Sequence, residues 1–299
     1  MGSDKGVFKL RRAFPSKPPM QVTQEPFDGG PKHLRNLVKL KPADRAEASD
    51  LWEYTQDLLY SGQIQDSLLA YLLPFCLEAW RDDLRGAHSG FGGFVEHFYP
   101  VLANLHLFDK RLTPAQTSAV SRFMRESILD EIDDQRGLIY SATGARPYRW
   151  IRALTTYGVL LPDVHQLWNA WWSIETIGRA VALVQYASCL MYLNNENPVF
   201  AAWTREAGGG PPCLWEFEGH LYQHRWLQPN AHFLRQTLNP QQVATALSLA
   251  VERLAGQPEH EIASEVEKDL PLCAELLPAR CAELAELLET LEEPLEWRL

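Results

Sequence analysis

The sequence predicts a mainly α fold: a multi-helix globular domain around a buried central Trp-rich helix, with at most a small β-hairpin element. Three observations lead there. Apolar residues recur at helical spacing over long stretches, strong N-cap signatures precede two of those stretches, and strand-like alternation is confined to two short segments. The organising stretch is residues 150 to 193, centred on Trp168-Asn169-Ala170-Trp171-Trp172. From Asp163 onward no Gly-Pro punctuation or charge block interrupts it. Ile174, Ile177, Val181, Val184, Leu190 and Met191 spread around almost the whole circumference of a single helix. A helix that is apolar all round is a buried one.

With 299 residues, 46% hydrophobic and 22% charged, the chain has the composition of a soluble globular protein. Its longest nearly uncharged apolar run, Ala180 to Leu193, is shorter than the roughly 20 residues a membrane-spanning helix needs, so no membrane segment is expected. Residues 1 to 20 are basic but lack the apolar region of a secretory signal, and Gly6 stands where a myristoylation signal needs Ser or Thr. Five cysteines, Cys76, Cys189, Cys213, Cys273 and Cys281, are odd in number and form no C-x-x-C pair, the pattern of reduced thiols in a cytoplasmic protein.

The net charge of -10 is unevenly placed. Residues 1 to 41 carry nine Lys or Arg against three acids, whereas residues 259 to 299 carry twelve acids against three basic residues. Such ends steer partners. Residues 1 to 41 read as a basic arm and residues 42 to 299 as the helical domain. Seven Pro and Gly residues from Pro15 to Pro31 leave residues 1 to 31 no room for a continuous helix, so they are expected to drape over the domain or move freely.

Ala43 to Tyr60 has the spacing of an amphipathic helix through Leu51, Tyr54, Leu58 and Leu59, and Ser67 to Trp80 that of a second, interrupted at Pro74. Gly86 to Gly93 reads as a loop without the Lys-Ser/Thr ending of a phosphate-binding loop. Leu112-Thr113-Pro114-Ala115-Gln116 and Leu238-Asn239-Pro240-Gln241-Gln242 each put a capping side chain before Pro at the first helical position, and their likeness admits an internal duplication. Residues 194 to 212 contain Gly208-Gly209-Gly210-Pro211-Pro212 and form the best internal boundary, ahead of a C-terminal helical segment from 239 to 299. There Val243, Leu247, Val251 and Leu254 make one stripe; Cys281, Leu284, Leu288, Leu291 and Leu295 make another, which should pack on the body or on another chain as an oligomer contact. The two strand-like segments are Leu138 to Ser141 and Leu214 to Leu221.

Three groups of residues carry possible chemistry. The acids Glu126, Asp130, Glu131, Asp133 and Asp134 resemble a magnesium cluster, but helical geometry from Thr113 sets Glu126, Asp130 and Asp133 opposite Val120, Met124 and Ile128. They read as a solvated face. Glu216, His220 and His224, with Cys213 nearby, are the metal candidate. Glu216 and His220 share a face in a helix or a strand, and their donors suit zinc or iron. Against this stand the missing H-E-x-x-H pattern, the weakening Gly219 and the frequency of structural histidines among aromatics.

The third group lies in the organising helix, where Trp168, Trp172, Glu175, Arg179 and Tyr186 fall within about 60° of one another on a continuous wheel. Trp168, Trp172, Glu175 and Arg179 read either as walls and charges of a ligand pocket or as a closed buried ion pair under aromatic cover, the second being preferred. No nucleophile elbow G-x-S-x-G is present. The leading functional expectation is a non-enzymatic helical interaction or regulatory protein with a protein partner. The alternative is a metal-dependent hydrolase at Glu216, His220 and His224. Nucleic-acid binding ranks last, because the body is acidic and Phe8 and Phe14 are the aromatics of the basic part of the arm.

Overall fold

The computed structural model describes residues 3–27, 30–60, 63–85, 98, 101–102, 107–138, 149–192, 197–199 and 226–290. Among these residues the regular structure is helical throughout and no strand occurs, as the periodicity predicts. They fall into two compact units, one up to Ser127 and the other from Ile128.

The first unit holds α1 (Ser3–Arg11), α2 (Lys32–Leu37), α3 (Ala48–Tyr60), α4 (Asp66–Leu84), a π-helical turn at Leu107–Arg111 and the start of α5 (Pro114–Asp133). The expectation that residues 1 to 31 hold no continuous helix is corrected by α1. The first proline is Pro15, so nothing in residues 3 to 11 forbids a helix. Nor is the segment loose. Leu10 and Phe14 are buried, Arg11 Nε donates to Glu78 Oε1 at 2.6 Å on α4, and the same guanidinium lies 4.1 Å from the centre of the Phe75 ring. Further along, the amide of Gln65 does the work of a strand partner. Its Oε1 accepts from the Thr23 amide at 2.8 Å, and its Nε2 donates to Gln21 O at 2.7 Å, while Gln24 Oε1 accepts from the Gln65 amide at 3.0 Å. Two of these bonds satisfy the extended backbone at Gln21 and Thr23, which has no helical partner there.

α3 starts five residues later than the spacing predicts, because Asp44 turns the chain first by accepting from the Lys41 amide at 2.7 Å. α4 is also corrected, since it runs through Pro74 without a break. Proline removes one backbone bond and costs about 3 kcal/mol, but every residue from Tyr71 to Leu77 is buried. Burial of a large apolar side chain stabilises by about 1.5 to 3 kcal/mol, so the packing outweighs the lost bond.

The second unit holds the end of α5, then α6 (Arg149–Leu160), α7 (Val164–Trp172), α8 (Ile177–Met191), α9 (Gln228–Thr237), α10 (Pro240–Arg253), α11 (His260–Lys268) and α12 (Leu276–Thr290). α8 is its centre. α10 lies along it most extensively, and α7, α11 and α12 also pack on it, leaving every residue from Ala180 to Met191 buried. Of the α12 stripe, Cys281 and Leu284 are buried, as is Leu277 one turn earlier, on a helix that packs on α8, α9 and α10, while the side chain of Leu288 and residues 291 and 295 lie outside the described residues. Asn230, buried on α9, fixes the turn between α6 and α7: its Nδ2 donates to Gly158 O at 2.5 Å and Leu161 O at 2.7 Å, and its Oδ1 accepts from the Val164 amide at 3.2 Å. The helix expected to run unbroken from Asp163 is instead two, with a break at residues 173 to 176 where Ile174 takes a φ of 53°.

Both sequence-marked helix starts are capped. Thr113 Oγ1 accepts from the Gln116 amide at 3.3 Å while Gln116 Oε1 accepts from the Thr113 amide at 2.9 Å; at α10 Asn239 Oδ1 accepts from the Gln242 amide at 2.9 Å. Thr113→Ala and Asn239→Ala are each expected to lower stability by about 1 kcal/mol in urea denaturation. An unchanged midpoint for either would remove that cap from the account. The strand-like residues 139–141 and 214–221, the loop 86–93, and residues 200–212 of the internal boundary lie outside the described residues.

Candidate functional site

The metal candidate Glu216, His220 and His224, with Cys213, lies outside the described residues, and among those described no group of three or more His, Cys, Asp or Glu is arranged to hold a metal ion. The acidic face is partly as the wheel places it. Glu126, Asp130 and Asp134 are exposed, but Glu131 is buried and Asp133 is half-buried at the end of α5.

Asp133 turns out to be the hub of the cluster that the sequence assigns to Glu175 and Arg179. Thr176, the N-cap of α8, donates its hydroxyl to Asp133 Oδ1 at 2.6 Å and accepts from the Arg179 amide at 3.2 Å. Arg179 Nε donates to Asp133 Oδ1 at 2.8 Å and Nη2 to Oδ2 at 3.2 Å, the two-pronged geometry that guanidinium and carboxylate favour. Its remaining nitrogen, Nη1, reaches Ala170 O at 2.8 Å, at the C-terminal end of α7, where a positive charge meets the negative end of the helix dipole. Glu175 comes within 3.5 Å of the same Nη1, yet its side chain is 73% exposed, whereas that of Arg179 is only 12% exposed. The buried pair is therefore Arg179 with Asp133, and Glu175 sits at its rim. The reason is the break before α8: Glu175 precedes the helix, so wheel positions counted from Trp168 do not carry across to it.

The aromatic residues of this stretch are tightly packed. Trp168 and Trp172 stack with ring centres 5.0 Å apart, and Trp171 meets Trp150, Trp168, Trp172 and Tyr186 edge to face at 4.6 to 5.4 Å. Trp168 and Tyr186 are buried and Trp172 is half-buried. Among the described residues the buried Nε1 atoms of Trp150, Trp168 and Trp171 have no hydrogen-bond acceptor. The cluster joins α6, α7 and α8, and the Arg179 node ties the same corner to α5.

A second charged node, in the first unit, escapes sequence reasoning. His33 on α2 is buried, with Nε2 at 2.6 Å from Asp57 Oδ2 and Nδ1 at 2.9 Å from Glu53 Oε2, both on α3. Glu53 holds it as an ion pair without hydrogen-bond alignment, and Asp57 through a hydrogen bond. Burial by itself pushes the imidazole pKa down, but the hydrogen bond and charge of Asp57, with the charges of Glu53 and Asp50, outweigh it and leave the pKa above its ordinary value. Asp57 is itself buried, and its Oδ1 accepts from the Phe27 amide at 2.8 Å. Phe27 and Tyr60 then lie ring to ring at 4.5 Å on the surface, 53% and 42% exposed.

The chain has no significant match among family models, curated proteins or solved structures. Its site chemistry therefore rests on the geometry just given. The four described cysteines, Cys76, Cys189, Cys273 and Cys281, are buried free thiols, and burial pushes Cys281 up to about 11, which keeps it a protonated, unreactive thiol at neutral pH. No helix among the described residues is long and apolar enough to cross a membrane.

Proposed function

We propose that the chain is a non-enzymatic helical interaction or regulatory protein that binds a protein partner through the surface of its first unit. The carrying observation is the Phe27–Tyr60 pair, two aromatic rings in contact with each other and open to solvent. Of the eight large apolar side chains exposed among the described residues, six belong to the first unit: Phe8, Met20, Val22, Phe27, Trp52 and Tyr60. Met20 and Val22 share the segment that Gln65 pins down and that ends in Phe27. Single exposed apolar residues need no explanation, but two exposed aromatic rings held against each other have the composition of an interface anchor. The free thiols support a reducing, cytoplasmic setting.

The test compares wild type with the double variant Phe27→Ser/Tyr60→Ser as baits in extracts of the source cells, followed by calorimetry with the purified partner. A partner whose affinity falls at least about tenfold, or about 1.4 kcal/mol, in the double variant is the expected result. Equal recovery of the same proteins by both baits, with circular dichroism unchanged, would overturn the proposal. Stoichiometric zinc or iron in purified wild-type protein would favour the hydrolase reading at Glu216, His220 and His224 instead.

A further inference from the structure

We infer that His33 is a proton-operated latch: in its charged form it holds Asp57 in place for the Phe27 amide, and loss of its proton releases that amide. The inference concerns regulation of the aromatic surface proposed above, and it rests on that reading only for its biological use. The latch itself is a property of the fold.

Three observations converge on it. His33 is inaccessible, so its charge is stabilised by protein groups and not by water. Among the described residues, the charged groups that face it are Asp57, Glu53 and, further off, Asp50, all from α3, while Lys32 and Arg35 on its own helix and Glu25 on the arm segment are exposed. Asp57 is equally buried, and one of its two oxygens is engaged by His33 and the other by the Phe27 amide. With His33 charged, the buried carboxylate has a counter-charge. With His33 neutral, it keeps at most one imidazole N–H and loses that counter-charge, which makes burial of Asp57 unfavourable. The cheapest relief is to admit water to Asp57 in place of its bond from the Phe27 amide.

The direction of the pH dependence follows. A histidine whose folded pKa is raised contributes stability that is complete below the unfolded value of about 6.5 and is lost as pH rises through the folded value. The latch is therefore closed at mildly acidic pH and opens on the alkaline side of 6.5. Thr23, four residues before Phe27, supplies an internal control, because its amide is held by the neutral side chain of Gln65.

The experiment is a two-dimensional NMR titration of the full-length protein from pH 5.5 to 9, following the His33 ring and the Phe27 and Thr23 amides, on wild type and His33→Gln. The expected result is a single midpoint above 6.5 shared by the His33 ring and the Phe27 amide, with Thr23 flat, and no Phe27 transition in His33→Gln. A His33 ring that titrates while the Phe27 amide stays unmoved, or a Phe27 transition that survives in His33→Gln, would overturn it. The wild-type titration decides the matter even if His33→Gln does not fold. Because no partner is present, failure here leaves the binding proposal standing, and failure of the bait comparison leaves the latch standing.

Discussion

Gly178→Ala is expected to destabilise the second unit by about 3 kcal/mol or more, the upper end for inserting one carbon into a packed site. Gly178 is the second residue of α8, and a Cβ there would overlap the backbone oxygens of Ile132 and Asp133, with Asp133 C at 2.6 Å. These atoms are main chain at the end of α5, so no side-chain rotation clears them. Relief requires α8 to lift off α5. That movement would also lengthen the bonds from Thr176 and Arg179 to Asp133, so a single methyl group strains packing and polar contacts together. Urea denaturation followed by tryptophan fluorescence reads the loss directly, because Trp168, Trp171 and Trp172 lie at the same corner. A loss below about 1 kcal/mol would mean that the two helices do not approach this closely.

The parts of this corner legible in the sequence are those set by local rules. Burial of α8 follows from its apolar circumference, and the starts of α5 and α10 follow from Thr113 and Asn239 standing before proline. The break between α7 and α8 is not legible because its turning residue is Ile174. A positive φ normally calls for Gly or Asn, and a β-branched residue there is strained. The strain persists because Ile174 is buried and its carbonyl accepts from Arg253 Nε at 3.2 Å, both of which depend on tertiary structure. Pro74 misleads in the opposite direction, since packing along α4 overrides a strong local signal.

The charged nodes were hidden for a different reason. Arg179 has Glu175 four residues away, and helical spacing points there first, but the carboxylate that satisfies it is 46 residues back in the chain. His33 and Asp57 are 24 residues apart with no helical or strand register between them. Spacing finds partners on one element. It has no purchase on partners brought together by two, and at both nodes that is how the buried charge is matched.

That distinction sets apart the effects of substitutions around Arg179. Asp133→Ala leaves the guanidinium, 12% exposed, without its two-pronged partner, and is expected to cost about 3 kcal/mol, the lower end for breaking a buried pair because Asp133 itself keeps 32% exposure. Glu175→Ala is expected to cost only about 0.3 to 0.5 kcal/mol, as for an exposed pair four residues apart on one chain. The double variant Asp133→Ala/Arg179→Leu removes both charges, and should recover part of the loss relative to Asp133→Ala alone, although the bond to Ala170 O is gone. Chemical denaturation of the three variants, each against wild type, separates the alternatives. If Glu175→Ala proved as damaging as Asp133→Ala, the pair four residues apart would be the one that matters, and the assignment of Asp133 as the hub would fail.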